Sequence, residues 1–273
     1  MIRILSMAQT EFRISLRNRW VAVSVAMMAV FSIVLAAAGS APSGTVGVDR
    51  LSVTVASLTS LGVYLVPLVA LLMSFDAIAG ETERGTLPLL LTYPLSRAEV
   101  LLGKLIAHLA VLALAVGAGY GLAALAIWVW DARAVAGLPA LWRLTWSSVV
   151  LGAVFLGAGY ALSALARRPS GAAGLAIGLW LGVIVLWDLG LLAALVADNG
   201  GWFTTDVFPV ALLANPADAF RLYNLAASEA GAVAAGLAGA ANAIPPGAAL
   251  ASLLLWPLAA LGLALVAFRK VTP

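Results

Sequence analysis

Long apolar runs alternate with short polar breaks along this chain, at spacings that a bilayer sets. Trp20 to Gly39 is the first run. At about 19 residues it is long for a signal-peptide core of roughly 7–15, so it is expected to stay as an anchor. Leu51 to Phe75 is the second, with Ser52, Thr54, Ser57, Thr59 and Ser60 in its outer half and Pro67 further in. Those hydroxyls either line a path or bond back to their own helix. The third opens at Pro94-Leu95-Ser96-Arg97-Ala98-Glu99, where Ser96 and Glu99 have capping-box spacing and Pro94 ends whatever precedes it. It runs to about Trp130, roughly 50 Å against a hydrocarbon core of about 30 Å. Its foot, with Lys104, is therefore expected in the cytosol or the headgroups. Leu144 to Ala166 and Gly171 to Ala197 follow, parted only by Arg167-Arg168-Pro169-Ser170, and Ala248 to Phe268 is last. Ahead of them all, Leu5, Ala8, Phe12 and Leu16 recur at helical spacing opposite Arg3, Arg13 and Arg17. Residues 2–18 are expected to form a helix lying flat at the interface, the alternative being a charged flank.

Composition agrees with this pattern. The 273 residues are 63% hydrophobic and 10% charged, against roughly 25% charged for a soluble domain. The expected fold is an all-α membrane protein with six transmembrane helices, an interfacial N-terminal helix and short cytosolic helices between spans two and three. It forms one transmembrane domain over 1–273, with an interfacial helix at 1–19, a cytosolic segment at 76–98 and an external loop region at 198–247. Six spans place both ends on one side. That side holds eleven basic residues: Arg3, Arg13, Arg17, Arg19, Arg84, Arg97, Lys104, Arg167, Arg168, Arg269 and Lys270. Only Arg50, Arg133, Arg143 and Arg221 fall on the other. The first side is thus cytoplasmic, and the net charge of +3 reflects topology rather than nucleic acid.

Little here supports enzyme chemistry. There is no cysteine, so disulfides, thiolate metal sites and thiol catalysis are excluded. Gly103-Lys104-Leu105 lacks the upstream glycine and following Ser/Thr of a phosphate loop. His108 is the only histidine, and the five methionines are scattered. Asp188 is the one carboxylate clearly within a span; it serves either a proton relay or a local hydrogen bond. Energy is expected from elsewhere, most plainly a cytosolic motor.

Three stretches carry the candidate sites. Between Asp76 and Lys104 lies a polar island of Asp76, Glu81, Glu83, Arg84, Arg97, Glu99 and Lys104. Gly85 breaks the turn that ends at Arg84. Thr86 is expected to cap a second short helix with Pro88 in its first turn. Leu87, Leu89, Leu90 and Leu91 would then make an apolar knob with a charged rim, which is a docking surface. In the fifth span Gly174, Gly178 and Gly182 form one stripe, for a second subunit or for packing within the chain. In the external loop, Asn215-Pro216-Ala217-Asp218 is a helix start, with Phe220, Arg221 and Tyr223 beyond it. That loop either docks an external partner or caps the helices. Its Ala/Gly-rich part at 226–241 is a candidate for dipping into the interface.

Glu83-Arg84-Gly85-Thr86-Leu87, Leu91-Thr92-Tyr93-Pro94-Leu95-Ser96-Arg97 and Gly103-Lys104-Leu105 together resemble the signature of type-2 ABC-transporter permeases. The six spans, flat N-terminal helix and long last external loop are similar too, across nearly the whole chain. The resemblance implies a homodimer in the bacterial inner membrane, with the first and fifth spans near its contact. It implies a separate cytosolic ABC ATPase that binds the ATP and Mg, and no cofactor in this chain. Glu81, Glu83, Arg84, Gly85, Thr86, Leu87, Leu89, Leu90, Pro94, Ser96 and Arg97 become the coupling candidates. Gly103-Lys104-Leu105-Ile106-Ala107-His108 and the stretch Asn215 to Leu222 narrow the resemblance to one branch of the family. That branch implies a periplasmic accessory protein, docked through Asn215, Pro216, Asp218, Phe220, Arg221 and Tyr223, and a role in maturing the copper–sulfide centre of nitrous oxide reductase. The alternatives are a general exporter of drugs, lipids or ions and, in another class, a mechanotransmitter that moves no cargo.

Overall fold

The computed structural model describes residues 2–39, 50–130, 137–166, 168–225 and 244–272. Among these, every regular element is helical. The helices are α1 (Ile2–Leu16), α2 (Arg19–Gly39), α3 (Arg50–Ser74), α4 (Ala79–Glu83), α5 (Thr86–Thr92), α6 (Arg97–Trp130), α7 (Leu138–Leu165), α8 (Pro169–Trp180), α9 (Trp187–Asp198), α10 (Phe208–Leu213), α11 (Pro216–Leu225) and α12 (Pro246–Arg269). A π-helical stretch, Leu181–Leu186, joins α8 to α9 in one continuous rod, and a second, Phe203–Val207, precedes α10. Five helices are long and apolar enough to cross a bilayer: α3, α6, α7, the α8–α9 rod and α12. The α1–α2 pair, bent by 70°, makes a sixth if it counts as one span.

The bundle is layered by burial. α3 and α6 pack on α7, α2 lies on α6 and α3, and α12 covers α7. Tyr120, Tyr160, Phe155, Phe220 and Phe268 are the large aromatic side chains fully buried among the described residues. The α8–α9 rod is different: 6% of its most apolar stretch is buried, against 61% for α3. Few side chains hold it, so its polar ties matter; Trp180 Nε1 donates to the Tyr64 carbonyl at 3.0 Å.

Three of the five hydroxyls singled out in α3 bond locally, while Thr54 Oγ1 is buried without a hydrogen-bond partner. Ser57, Thr59 and Ser60 donate to carbonyls four residues back, Thr59 at 2.7 Å. That satisfies each donor within its own helix. The expected dip of 226–241 and the Arg167 end of the fourth turn lie outside the described residues.

Candidate functional site

The segment between α3 and α6 is built as a bracket. The side chain of Ser163, near the end of α7, accepts hydrogen bonds from Ile78 N (3.0 Å) and Ala79 N (2.9 Å). Those amides open α4 and have no partner within it, so Ser163 pins the first short helix to a span. Gly85 then takes φ +68°, a left-handed conformation open to glycine without strain. It occupies the cap position of α5. Thr86, expected there, is already in the helix and donates instead to the Glu81 carbonyl at 3.2 Å.

The knob on α5 is narrower than its leucines suggest. Leu87 is fully buried and anchors the bracket, so it presents nothing to a partner. Leu89 and Tyr93 are the exposed pair, 64% and 65% open, with Leu90 and Leu91 half-buried beside them. Glu83 and Arg84 stand exposed on the rim, Arg84 3.2 Å from Asp76. Pro94 and Ser96 are also exposed. The predicted capping box is present: Ser96 N donates to Glu99 Oε2 at 2.8 Å, and Glu99 N to Ser96 Oγ at 3.2 Å. Arg97 is turned inward. Its guanidinium donates to the Phe268 and Val271 carbonyls and lies over the Phe268 ring, tying α6 to the end of α12.

Lys104 departs furthest from its expected place. At the foot of α6 it is 1% exposed rather than projecting freely, because α1 lies across it. Its Nζ stands 2.7 Å from Glu81 Oε1 and 3.1 Å from Glu11 Oε2. The other Glu11 oxygen is 3.7 Å from His108 Nε2, and His108 Nδ1 meets Tyr160 OH at 2.7 Å. One connected polar chain therefore joins α4, α6, α1 and α7. Gly103 makes the approach possible, since a Cβ there would sit 2.6 Å from Met7 Cγ. Arg3 closes the far end of α1 by donating to the Pro94 carbonyl at 2.7 Å. The network borders an open cavity of 670 Å³ whose charged wall includes Glu11, Arg17, Asp76, Glu81, Arg84 and Lys104. Sequence reasoning passed over Glu11. Its signal was being the one carboxylate in a helix otherwise apolar, polar or basic.

At the other candidate site, Asn215 caps α11 as expected, its Oδ1 accepting from Ala217 N at 2.8 Å. Its Nδ2 donates to the Val183 carbonyl at 2.7 Å, within the π-helical stretch. Val183 stands midway along the α8–α9 rod. Phe220 packs beside Gly62, midway along α3. So α11 turns back into the bundle. Asn215, Pro216, Asp218 and Phe220 are buried and present no face to an external protein, a correction to the docking surface expected there. Arg221 and Tyr223 are part-exposed. Arg221 bridges Asp218 (2.9 Å) and Asp188 (3.0 Å), which gives Asp188 a local partner.

The glycine stripe is not packed against the rest of the chain, and Gly182 edges a cavity between α7, the rod and α12. A Cβ added at Gly174, Gly178 or Gly182 would meet no neighbouring atom within 4 Å. Among the described residues, no group of three His, Cys, Asp or Glu side chains could hold a metal ion.

These features, a bundle of five to six candidate spans with a pinned bracket at one end, are those of a transporter's membrane subunit. The chain belongs to the ABC-2 family of transporter proteins, whose model matches residues 5–272. It is 46% identical over 269 residues to the probable ABC transporter permease protein NosY of Pseudomonas aeruginosa, covering 97% of each chain. It is 42% identical over 274 residues to the protein of the same name from Stutzerimonas stutzeri, covering 99% of each. It is thus a multi-pass membrane protein and an ABC transporter permease subunit.

Proposed function

We propose that this permease takes its energy from a separate cytosolic ATPase, docked on the α4–α5 bracket, and passes the motion to the outer side of the bacterial inner membrane. The observation that carries this reading is the bracket itself. Leu89 and Tyr93 are offered outward while Leu87, Ser163 and the Lys104 network fasten the same helices to two spans and to α1. A push on α5 is then delivered to α1, α6 and α7 together.

In this reading the chain binds no nucleotide. ATP and Mg sit on the partner, a NosF-type ATPase, and two permeases pair along the Gly174, Gly178 and Gly182 face with both termini cytoplasmic. There are six spans, α1 lies at the interface, and α4 and α5 are cytosolic. The likeness to NosY points to a NosD-type periplasmic protein and to maturation of the copper–sulfide centre of nitrous oxide reductase. Arg221 and Tyr223 are the part-exposed candidates for that outer contact. Cells lacking this chain are expected to accumulate reductase without the absorbance of its copper–sulfide centre, restored by the chain on a plasmid. Fully loaded reductase in the deletion strain would refute the role in maturation.

A second reading has its own support. With no cysteine and its single histidine bound in the Glu11–Tyr160 chain, this subunit offers no ladder of soft ligands for copper. Relay of motion to an outer protein, with no cargo crossing, fits that inventory.

A further inference from the structure

The open cavity beside the Lys104 network is lined by acids and bases in balance, His108 apart: Glu11, Asp76 and Glu81 against Arg17, Arg84 and Lys104. Lys104 is met by Glu11 and Glu81, and Arg84 by Asp76. Two groups are left over. Among the described residues Arg17 has no carboxylate within salt-bridge distance, and Glu81 Oε2, buried at the wall, has no hydrogen-bond partner. An occupant that suits both carries an anion and an N–H donor. The same cavity has an apolar side, made by Ile14 of α1 and by Leu72, Met73 and Phe75 at the end of α3. A second cavity, of 230 Å³, lies between α3 and α8, walled by Leu68, Leu71, Ala173 and Ile177. It has no charged side chain, and no glycine of the α8 stripe lines it. Leu72 and Phe75 line both cavities.

We propose that this pair of cavities binds one phospholipid of the phosphatidylethanolamine class. Its phosphate lies at Arg17, its ammonium at Asp76 and Glu81, and the start of one tail in the apolar cavity. Position and chemistry agree on this class. The chain carries no charge from Leu51 to Phe75, and Asp76 follows at once. Hydrocarbon therefore gives way to headgroups at this level of α3. Leu68 stands seven residues before Phe75, roughly 10 Å along the helix on the apolar side of that boundary. A soluble ligand or a side chain of a cytosolic protein suits the charged cavity and not the apolar one. A membrane helix suits the apolar cavity and not the charged one. A phospholipid suits both. Donor count then selects the headgroup. Ethanolamine ends in an ammonium with three N–H donors, as lysine does. Choline has none, and a purely anionic headgroup meets only one base that lacks a carboxylate. The charged cavity, at 670 Å³, is within the range of about 300–1,000 Å³ of small-molecule sites. Held there, the lipid touches α1, α3, the bracket and α8, and braces the bracket against the loosely packed rod.

The test is photolabelling. The chain in its purified complex is placed in vesicles holding a fixed small fraction of a phosphatidylethanolamine with a diazirine high on one tail. The remaining lipid is phosphatidylglycerol mixed with either phosphatidylethanolamine or phosphatidylcholine. After illumination the chain is digested and its adducts are mapped. Met73, 9% exposed, reads the cavity, and outward-facing Leu258, 68% exposed, reads insertion and folding. The ratio of Met73 to Leu258 adducts is expected to be at least fivefold higher in the phosphatidylcholine vesicles, where nothing contests the site. Arg17→Gln and Asp76→Asn should each remove that difference while Leu258 is labelled as in the parent. Equal ratios in the two vesicle types would overturn the proposal, as would variants that keep the parent's difference. The chain has no cysteine of its own, so Thr86→Cys puts a single thiol at the cavity wall. A benzophenone carried there that joins only to a protein of the complex, with Met73 adducts absent, would show a partner's side chain in the cavity and overturn it too.

Discussion

Lys104 is the residue on which the bracketed end of the bundle depends. It is one ammonium facing two carboxylates, one from α1 and one from α4, with almost no water. Removing a charge from such a group leaves the others buried and uncompensated, at about 3–5 kcal/mol. Lys104→Met is expected to lower stability by that order and to release α1, read as a lower melting temperature and faster hydrogen exchange over residues 2–16. Glu81→Gln, which removes one of the two like charges, should cost much less. Equal losses in the two variants would contradict the account.

At the scale of elements, what was legible in the sequence was what local chemistry determines. Runs of apolar residues marked α3, α6, the α8–α9 rod and α12 to within a few positions, and α7 except for its start at Leu138, six residues before Leu144, because a bilayer penalises each interruption. The Ser96–Glu99 box and the Asn215 cap are contacts within one turn, and both were read correctly. What was hidden depends on a second element. Leu87 and Leu89 look alike in sequence, and only the fold of the bracket buries one and exposes the other. Lys104 reads as a basic flank until α1 delivers Glu11 to it. Phe220 reads as a loop aromatic until α11 folds back beside Gly62. The π-helical stretch leaves the apolar pattern intact and shifts only the backbone register, and Asn215 donates to a carbonyl within it.

At the scale of the molecule, a firmly packed layer of α3, α6 and α7 carries a bracket at one end, while the α8–α9 rod lies against it by a few polar ties. On the proposed coupling, force entering at α5 would pass into this layer, and the rod's open glycine stripe would be the face that meets another subunit. The direct test is affinity purification of the tagged chain from its own membranes, followed by mass spectrometry, for the parent and Leu89→Asp side by side. Leu89 is exposed, so a charge there leaves the bundle intact. The account predicts a cytosolic ATPase and a periplasmic protein with the parent chain, and at least tenfold less ATPase with the variant at equal membrane insertion. Undiminished ATPase with Leu89→Asp, or none with the parent, would contradict it.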